Sequence, residues 1–422
     1  MGFHLLDLEK PLLKILDRKG LVFPTPIQQR AIPIILSGDD LIGLAQTGTG
    51  KTIAFILPLL SLINRVERTG KFRPVKALVL SPTRELARQV NEVTKPFASA
   101  VNLKSVAIYG GEPIFKQIRS LRKGSDLVIG TPGRVEDHIE KGTLDLSQTQ
   151  FLVIDEADQM LEVGFLQSVR RICSLVHCKR QTLLFSATMP PALNSITKNY
   201  LTEPKEVIIS RKSEPSHNIE QFVLLVNARD KLSELQKIFL KETGKRILVF
   251  ARTKHSADKI VVILNKVGFY ANVIHGNKSQ ASREKALHLF TEGKCLILIA
   301  TDIAARGIDV PNVELVINFD LPDKPETYLH RIGRTARAGK TGRAISFCLP
   351  SQGGNLRAIE TFIKLKIKLI PPSNKKNEDK PNFVKRVRKL KSKKRRDSNL
   401  EYSNKTVELR KKKKFTRNKK GP

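Results

Sequence analysis

The sequence predicts an α/β protein with two tandem parallel-sheet lobes and a basic C-terminal tail. Its 422 residues are too many for one ordinary core and suggest two or three domains. Short apolar runs alternate with amphipathic stretches, as strands and helices do in parallel-sheet proteins. The formal net charge is +35, of which +16 falls in residues 373–422. This uneven charge separates the tail from the part of the chain that can build cores.

The first lobe is predicted over residues 1–208 from five apolar runs. Each run is rich in Val, Ile and Leu and ends in polar residues, as expected of a strand buried on both faces. The runs are 40–45 (DLIGLA), 76–82 (KALVLSP), 126–132 (DLVIGTP), 151–158 (FLVIDEAD) and 181–188 (QTLLFSAT). Ligands of parallel sheets bind at the carboxyl ends of the strands, so these polar ends are the candidate site.

A second lobe is predicted over residues 218–370, after a linker at 209–217. The linker is polar and contains Pro215, which is typical of a flexible connection. The apolar runs of the second lobe are 221–226, 246–253 (RILVFART), 271–276 (ANVIHG), 295–302 (CLILIATD), 313–320 (VELVINFD) and 343–349. They follow the same pattern of strand, polar turn and helix.

The C-terminal segment 371–422 is predicted to be disordered. Residues 373–422 hold 21 Lys and Arg against 5 Asp and Glu, with runs such as KSKKRR at 391–396. So few apolar residues cannot offset the entropy lost on ordering. The charge favours a polyanionic partner, either nucleic acid or an acidic membrane face. In a eukaryotic host the same runs would fit a nuclear or nucleolar signal.

The composition also indicates the cellular compartment. No run of 18 apolar residues is present, so no membrane span is predicted. Four cysteines cannot form a disulfide framework, which indicates a reducing compartment, and we expect a cytoplasmic protein with a monomeric core. Cys173 and Cys178 have only His177 nearby as a third ligand, so buried thiols are favoured over a zinc site.

Residues 45–52 (AQTGTGKT) predict a phosphate-binding loop between a strand and a helix. Gly48 and Gly50 allow backbone N–H groups to turn toward phosphate oxygens. Lys51 supplies a cation for the β- and γ-phosphates, and the Thr52 hydroxyl can reach Mg²⁺. The general template begins with Gly where this chain has Ala45.

Two carboxylates follow the strand at 151–154 in the segment DEAD. Asp155 stands where a phosphate loop requires a ligand for Mg²⁺, and Glu156 beside it can position or deprotonate an attacking water. The next predicted strand ends in Ser186-Ala187-Thr188. Together with the lysine loop, these residues indicate hydrolysis of a bound nucleotide's phosphate by an activated water.

The second lobe contributes cations in residues 330–337 (HRIGRTAR). Arg331, Arg334 and Arg337 recur every three residues, so a helix there would place them on roughly one face. A guanidinium from a neighbouring lobe can stabilise charge on a transferred phosphoryl group.

The chain resembles the DEAD-box ATP-dependent RNA helicases of superfamily 2, and within them the compact bacterial RhlE-like group. The resemblance covers residues 1–370 and implies two RecA-like lobes of the P-loop NTPase type. Its motifs, in order, are GLVFPTPIQ (20–28), AQTGTGKT, PTRELA (82–87), Gly110-Gly111, TPGR (131–134), DEAD, SAT, QASR (280–283), ATDIAARGID (300–309) and HRIGRTAR.

The resemblance implies roles in ATP binding and hydrolysis. Residues 1–29 would form the glutamine motif, in which Thr25 and Gln28 read adenine and Phe3 is the upstream aromatic. The residues implied to contact ATP and Mg²⁺ are Phe3, Thr25, Gln28, Ala45, Gln46, Thr47, Gly48, Thr49, Gly50, Lys51, Thr52, Asp155 and, near the ribose and phosphates, Asp302. Those implied in catalysis and in its coupling to nucleotide state are Lys51, Asp155, Glu156, Ser186, Thr188, His330, Arg334 and Arg337.

The resemblance also implies that RNA lies across both lobes. The implied RNA contacts are Thr83, Arg84, Gly111, Thr131, Arg134, Arg252, Gln280, Arg283 and Thr301. Hydroxyls, amides and arginines touch the backbone, so recognition should be independent of sequence. Aromatic residues make up 6% of the chain and Trp is absent, so base stacking is not expected to dominate.

Three functions remain in competition on the sequence. The first is an RNA-stimulated ATPase that opens short duplexes or remodels RNA–protein complexes, with ribosomal or RNA-decay assemblies as partners. The second is an ATP-regulated RNA chaperone or clamp whose tail promotes annealing. The third is a DNA helicase of the same superfamily, against which the glutamine, DEAD, SAT and HRIGRTAR segments argue.

Overall fold

The structure is a computed structural model that describes residues 2–46, 48–65, 73–177, 179–209, 218–305, 313–336 and 341–370. Two seven-stranded sheets account for the strands of these residues, and neighbouring strands are parallel throughout. The predicted fold class, two tandem parallel-sheet lobes, is confirmed.

The first lobe runs from a short 3₁₀ turn at Phe3–Leu5 to its last strand at residue 208. Its strands are β1 (Leu41–Leu44), β2 (Ala77–Leu80), β3 (Ser105–Ile108), β4 (Leu127–Gly130), β5 (Phe151–Ile154), β6 (Gln181–Ser186) and β7 (Lys205–Ile208). Its helices are α1 (Lys10–Arg18), α2 (Pro26–Leu36), α3 (Lys51–Arg65), α4 (Arg84–Ala100), α5 (Ile114–Arg122), α6 (Pro132–Glu140), α7 (Ala157–Glu162), α8 (Leu166–Leu175) and α9 (Asn194–Tyr200).

The second lobe repeats the alternation of strand and helix. Its strands are β8 (Ile219–Leu225), β9 (Ile247–Phe250), β10 (Ala271–Ile274), β11 (Ile297–Ala300), β12 (Leu315–Asn318), β13 (Gly342–Cys348) and β14 (Lys368–Ile370). Its helices are α10 (Lys231–Lys241), α11 (Lys254–Lys266), α12 (Gln280–Thr291), α13 (Asp302–Ala305), α14 (Pro325–Ile332) and α15 (Gly353–Ile363).

The order of the strands divides the carboxyl edge of the first sheet into two halves. The order is β3-β4-β2-β5-β6-β1-β7 in the first sheet and β10-β11-β9-β12-β13-β8-β14 in the second. The DEAD, SAT and lysine-loop segments follow β5, β6 and β1, which are consecutive neighbours. The segments after β2, β3 and β4, which carry the predicted RNA contacts of this lobe, occupy the other half of the same edge.

Both faces of the first sheet are covered, as the continuous apolar runs predict. In β2, Ala77 and Val79 pack into one hydrophobic cluster, whereas Leu78 and Leu80 pack into a second on the opposite face. All four side chains are fully buried. A strand buried on both faces cannot slip by one residue without exposing or clashing side chains, so this packing fixes the register of the sheet.

Several sequence expectations lie outside the described residues: the linker up to 217, the tail from 371, Cys178, Thr47 and Arg337. Cys173 is buried in the first lobe, and burial raises the pKa of its thiol. Across the described ranges, no helix is long and apolar enough to span a bilayer.

Candidate nucleotide site and nucleic-acid surface

The lysine loop joins the end of β1 to the start of α3. Gly48 and Gly50 have φ of +89° and +90°, a region that favours glycine. A Cβ on Gly50 would overlap the Gln28 side chain, so close packing as well as φ requires glycine there. Lys51 is the first residue of α3 and is 6% exposed. Backbone N–H groups and the helix dipole make such a loop a site for an anion.

The Gln28 amide holds the loop to the start of α2. Its Nε2 donates to Gly50 O at 3.0 Å, and its Oε1 accepts from Thr25 N at 2.8 Å. A glutamine amide has two N–H donors and two acceptor lone pairs, so one of each remains for another partner. Gln28 is therefore bonded to both the phosphate loop and the segment that precedes α2, and it retains the groups needed to read a base edge.

Phe3 lies in the hydrophobic core of the first lobe and is 5% exposed. Its side chain packs the N-terminal segment against the lobe, and the expected contact of Phe3 with nucleotide stays a prediction.

Asp155 and Glu156 lie at the end of β5 and are 2% and 3% exposed. Burial raises the pKa of Asp155; the charge of Lys51 opposes this rise, and that of Glu156 adds to it. Asp155 Oδ1 and Lys51 Nζ are both buried and have no hydrogen-bond partner. Buried polar groups are normally hydrogen-bonded. A cation bound at the Asp155 carboxylate and an anion bound at the Lys51 ammonium would supply the missing partners.

Glu156 adopts a left-handed backbone conformation, with φ of +53° and ψ of +52°, as the residue preceding α7. This conformation costs a non-glycine residue about 1–3 kcal/mol and is often found at functional sites. Glu156 is thereby turned out of the line of β5 while Asp155 continues it.

Asp158, the last residue of the DEAD segment, has contacts that the sequence did not predict. Its Oδ2 accepts from Thr188 N at 2.8 Å and from Thr188 Oγ1 at 2.9 Å. Its backbone N donates to Ser186 Oγ at 3.2 Å, and that hydroxyl donates to Thr188 O at 2.6 Å. The bonds of Asp158 to Ser186 and Thr188 therefore join the segments that follow β5 and β6.

Arg331 and Arg334 of HRIGRTAR do not share a helix face, contrary to prediction. Helix α14 ends at Ile332, with Gly333 as its C-cap, so Arg334 lies in the following turn. Arg331, inside the helix, is 3% exposed and lies 5.1 Å from the Phe250 ring centroid. Arg334 is 6% exposed, and its Nε donates to His330 O at 3.3 Å.

Both carboxylate oxygens of Asp302 accept from Arg331, at 2.6 Å from Nε and 2.8 Å from Nη2. Arg331 Nη1 also donates to Asn318 Oδ1 at 3.2 Å and to Asp320 O at 2.6 Å. A bidentate pair of this kind is strong and directional. Asp302 therefore positions Arg331, and its expected place near the ribose and phosphates stays a prediction.

The predicted RNA contacts of the first lobe lie together at the ends of β2, β3 and β4. Thr83 caps α4 by accepting from Leu86 N at 3.2 Å, and Thr131 precedes α6. The Arg84 guanidinium packs against Gly111, where φ is +84° and a Cβ would overlap it. Thr83 and Thr131 are buried, so Arg84 and Gly111 are the more exposed part of this surface.

Two other arginines expected to contact RNA are held by protein atoms. Arg134 Nη1 donates to Glu112 O at 3.3 Å and to Gln117 Oε1 at 3.1 Å. Arg252 Nη2 donates to Leu321 O and to Asp323 Oδ1, both at 3.0 Å. The Arg134 side chain is only 12% exposed, whereas that of Arg252 is 47% exposed and remains accessible to a ligand.

Gln280 and Arg283 face the first lobe instead of an open RNA surface. Arg283 Nη2 lies 2.9 Å from Glu85 Oε1, with the two side chains 9% and 5% exposed. Gln280 Nε2 donates to Glu284 Oε1 at 3.1 Å and lies 3.5 Å from Glu85 Oε1. Gln280 Oε1 and Arg283 Nε are buried and have no hydrogen-bond partner, so the expected RNA contact of both residues stays a prediction. Glu85, within PTRELA, was not predicted to have a role.

Thr301 follows β11, immediately before Asp302, and is partly buried. Thr52 is partly buried on α3, Ala45 is buried at the end of β1, and Thr49 Oγ1 donates to Gln46 O at 2.8 Å. In the described part of the chain, no group of three His, Cys, Asp or Glu side chains is arranged to hold a metal ion. Any cation at Asp155 would therefore need water or substrate oxygens to complete its ligands.

Comparison with known sequences gives matches to both lobes. Residues 25–196 match the DEAD/DEAH box helicase family, and residues 230–339 match the helicase conserved C-terminal domain. The DEAD-box ATP-dependent RNA helicase CshA of Geobacillus kaustophilus is 44% identical over 370 residues, which is 88% of this chain and 78% of that protein. CshA of Bacillus subtilis is 44% identical over 365 residues, covering 86% and 73%. These relatives do not test the RhlE-like subgroup, which stays a prediction.

Solved structures overlap most of this chain. S. cerevisiae Dbp5 bound to RNA and ADP BeF3 has a TM-score of 0.79 at 30% identity, covering 92% of this chain and 99% of that one. Mss116p bound to ssRNA and AMP-PNP has a TM-score of 0.78 at 28% identity, covering 90% and 79%. A DEAD box protein from Methanococcus jannaschii is 40% identical, yet its TM-score is only 0.50 over 88% of this chain. The overlap is therefore greater with the complexes of Dbp5 and Mss116p than with the Methanococcus jannaschii structure, although the sequence identity of the latter is higher.

Proposed function

The chain belongs to the DEAD-box ATP-dependent RNA helicases, and from that premise we propose how its own residues couple ATP hydrolysis to the opening of short RNA duplexes or the remodelling of RNA–protein complexes. The observation that carries the proposal is the adjacency of β5, β6 and β1, which brings together the DEAD segment, the SAT segment and the lysine loop. We assign residues 1–208 and 218–370 to the two lobes, 209–217 to the linker and 371–422 to the tail.

ATP would bind on the loop between β1 and α3. Gln28 would read adenine with the donor and acceptor that its bonds to Gly50 O and Thr25 N leave over, and Thr25 would contribute its hydroxyl, which is buried without a hydrogen-bond partner. The backbone N–H groups of residues 45–52 and the Lys51 ammonium would hold the phosphates. Lys51 Nζ, buried with no hydrogen-bond partner, is suited to this task because a phosphate oxygen would supply the missing acceptor.

The residues at this site fit Mg²⁺ bound largely through water. Asp155 Oδ1 is buried without a hydrogen-bond partner, and the partly buried Thr52 hydroxyl is the other candidate ligand. One or two protein oxygens, with waters and substrate phosphates, make a typical Mg²⁺ site in an ATPase. When bound, Mg²⁺ would neutralise charge on the β- and γ-phosphates.

Hydrolysis would require groups from both lobes. Glu156, turned out of β5 by its left-handed backbone, would orient the attacking water. Arg334, in the turn after α14, would stabilise the charge that develops on the γ-phosphate, and Arg337 has the same proposed role on sequence grounds alone. Arg331 stays fixed by Asp302 and supports the turn that carries Arg334.

Coupling between ATP and RNA would pass through the segment that follows β5. Asp158 is bonded to Ser186 and Thr188, so a movement of the DEAD segment on nucleotide binding would be transmitted to the end of β6. His330, from α14 of the second lobe, would contact the DEAD segment across the cleft. RNA backbone would lie along Thr83, Arg84, Gly111 and Thr131, with Thr301 and Arg252 contributing from the second lobe.

The buried contact between Glu85 and Arg283 would favour the closed arrangement of the lobes. Glu85 is the second residue of α4, directly after Arg84 of the RNA surface. RNA bound at Arg84 would therefore hold the helix end that carries Glu85 to the second lobe. Closure that needs RNA in this way would make ATP hydrolysis RNA-stimulated.

Replacing Glu85 by glutamine is expected to weaken closure. The substitution leaves the Arg283 guanidinium buried without a counter-charge, and breaking a buried pair costs about 3–5 kcal/mol. We expect the KM for RNA in an ATPase assay to rise by at least tenfold, with the melting temperature of each lobe unchanged. Arg88→Ala on the same helix is a matched control, because its ion pair with Glu92 at 3.7 Å is exposed and contributes little. An unchanged KM for RNA in Glu85→Gln would show that the pair does not contribute to closure.

The function itself is tested by ATPase and strand-separation assays with matched RNA and DNA duplexes. We expect ATPase stimulation by RNA and not by DNA, and strand separation that requires ATP. Stimulation by DNA alone would favour the alternative of a DNA helicase. Lys51→Ala is the internal control, since loss of the phosphate-binding ammonium should abolish both activities.

The second candidate, an RNA chaperone or clamp, is favoured by the net charge of +16 in residues 373–422. Lysine-rich segments bind phosphates by releasing counterions, and this needs no ATP. The same Lys51→Ala variant separates the two functions: annealing of complementary RNA strands should survive if it arises from the tail. If annealing disappears together with unwinding, the tail has no independent chaperone activity.

A further inference from the structure

Helix α5 carries a basic, partly aromatic face that has no part in the site described above. Its exposed side chains are Phe115, Lys116, Arg119, Arg122 and the following Lys123. At 100° per residue they fall within an arc of about 120°. The buried residues Gln117 and Leu121 lie on the opposite side of the helix. The five side chains, called here the α5 face, therefore form one continuous surface.

The composition of the α5 face is unusual for a solvated helix. Phe115 is 78% exposed, more than any other large hydrophobic side chain of the described residues. Four cations follow it on the same side of the helix, and no acidic residue occurs between positions 113 and 125. An exposed aromatic ring among cations is the combination by which proteins hold single-stranded nucleic acid without regard to sequence.

The position of α5 places this face beside the proposed RNA path. The helix begins three residues after Gly111, so the Cα atoms of Gly111 and Phe115 can be at most about 14 Å apart. Arg134 binds Glu112 O and Gln117 Oε1, and Gln117 Nε2 donates to Tyr109 O at 2.9 Å. These bonds fix α5 against the ends of β3 and β4, where the first-lobe RNA surface lies.

We propose that the α5 face is an additional binding site for single-stranded RNA, in which a base stacks on Phe115 and phosphates contact Lys116, Arg119, Arg122 and Lys123. The proposal rests on the RNA helicase function, because it extends the strand that the core holds at Gly111. It adds one stacked base to a mode of RNA binding in which base stacking is not expected to dominate. The low aromatic content of the chain says nothing about where one exposed ring stands.

The test compares Phe115→Ala, Phe115→Leu and Phe115→Tyr in the full chain. Phe115 is exposed, so these substitutions should not impair folding. The dissociation constant would be measured for fluorescein-labelled oligouridylates of increasing length, together with RNA-stimulated ATPase. Phe115→Ala and Phe115→Leu should bind long oligonucleotides about fivefold or more weakly than the wild type does, whereas Phe115→Tyr should bind them equally well. Oligonucleotides too short to reach α5 should bind all four proteins equally, and kcat at saturating RNA should be unchanged.

The leucine variant distinguishes base stacking from an apolar protein contact, since leucine retains apolar area without a π-face. Wild-type binding by Phe115→Leu on long RNA, or equal weakening on short and long RNA, would overturn the proposal. For the cations, Arg119→Ala with Arg122→Ala should flatten the log–log salt dependence by about 0.7 for each phosphate that is no longer neutralised. Lys259→Ala with Lys266→Ala on α11 removes the same charge elsewhere, and an equal effect there would overturn the assignment to α5. Failure of the helicase function is separately visible as absence of RNA stimulation in the wild type.

Discussion

Replacing Glu156 by glutamine is expected to slow ATP hydrolysis by about 10²–10⁴-fold while ATP and RNA still bind. Glutamine keeps the size of the side chain but loses the carboxylate that would orient and activate water. Asp155 and Lys51, which would hold the metal ion and the phosphates, are unchanged. The protein should therefore close on ATP and RNA and remain closed, because hydrolysis is the step that releases it. Single-turnover hydrolysis, with RNA dissociation measured in ATP, would record both effects.

Glu162→Gln is the matched control for this substitution. Glu162 is the last residue of the same short helix, α7, and is exposed, so the same chemical change there should leave turnover within a small factor. Glu156 is held at φ of +53°, so the melting temperatures of the wild type and of Glu156→Gln are also compared. They should differ little, because glutamate and glutamine have similar backbone preferences. Near-normal turnover in Glu156→Gln would show that another group orients the water.

The apolar runs predict the central strands of the two sheets but miss three edge strands. Eleven strands follow from continuous runs of Val, Ile and Leu, whereas β3, β7 and β14 were not predicted. All three lie at sheet edges, and their residues are less buried than those of central strands such as β2 and β9. An edge strand has a neighbour on one side only, so its sequence is less apolar and carries a weaker signal.

The site shows a different limit, because a motif identifies residues without showing which of them bind one another. Asp155 and Lys51 lie where the order of the apolar runs places them. Glu85 gives no signal of its own, since its partner Arg283 is about two hundred residues away in the other lobe. A pair so distant in sequence is defined only when both sheets are folded and the lobes are together.

The row of arginines shows how local geometry overrides periodicity. A spacing of three predicts one helix face, but Gly333 ends α14 between Arg331 and Arg334. Glycine is a poor helix former and a common point of termination. As a result Arg331 lies inside the lobe on Asp302, while Arg334 stands in a turn. Two residues of the same type, three positions apart, are thus expected to differ in function.

Arg334→Ala is expected to lower kcat by about 10³-fold or more, with little change in ADP affinity. A guanidinium delivered from a second lobe is worth about 10³–10⁵ in rate, since it stabilises charge that develops on the γ-phosphate only in the closed state. Arg334→Lys should recover only part of the rate, because an ammonium lacks the planar fork of donors.

Arg331→Ala provides the contrast that separates a catalytic arginine from a structural one. It removes the bidentate partner of Asp302 and the donor that serves Asn318 Oδ1 and Asp320 O. The free energy of unfolding of the second lobe should therefore fall by about 3–5 kcal/mol. Arg334→Ala should lower that free energy by less than Arg331→Ala does, while kcat collapses. Calorimetry and RNA-stimulated ATPase on both variants would test the assignment. If Arg334→Ala unfolds the lobe as Arg331→Ala does, or loses ADP affinity as severely as rate, Arg334 acts through the structure of the lobe and not on the γ-phosphate.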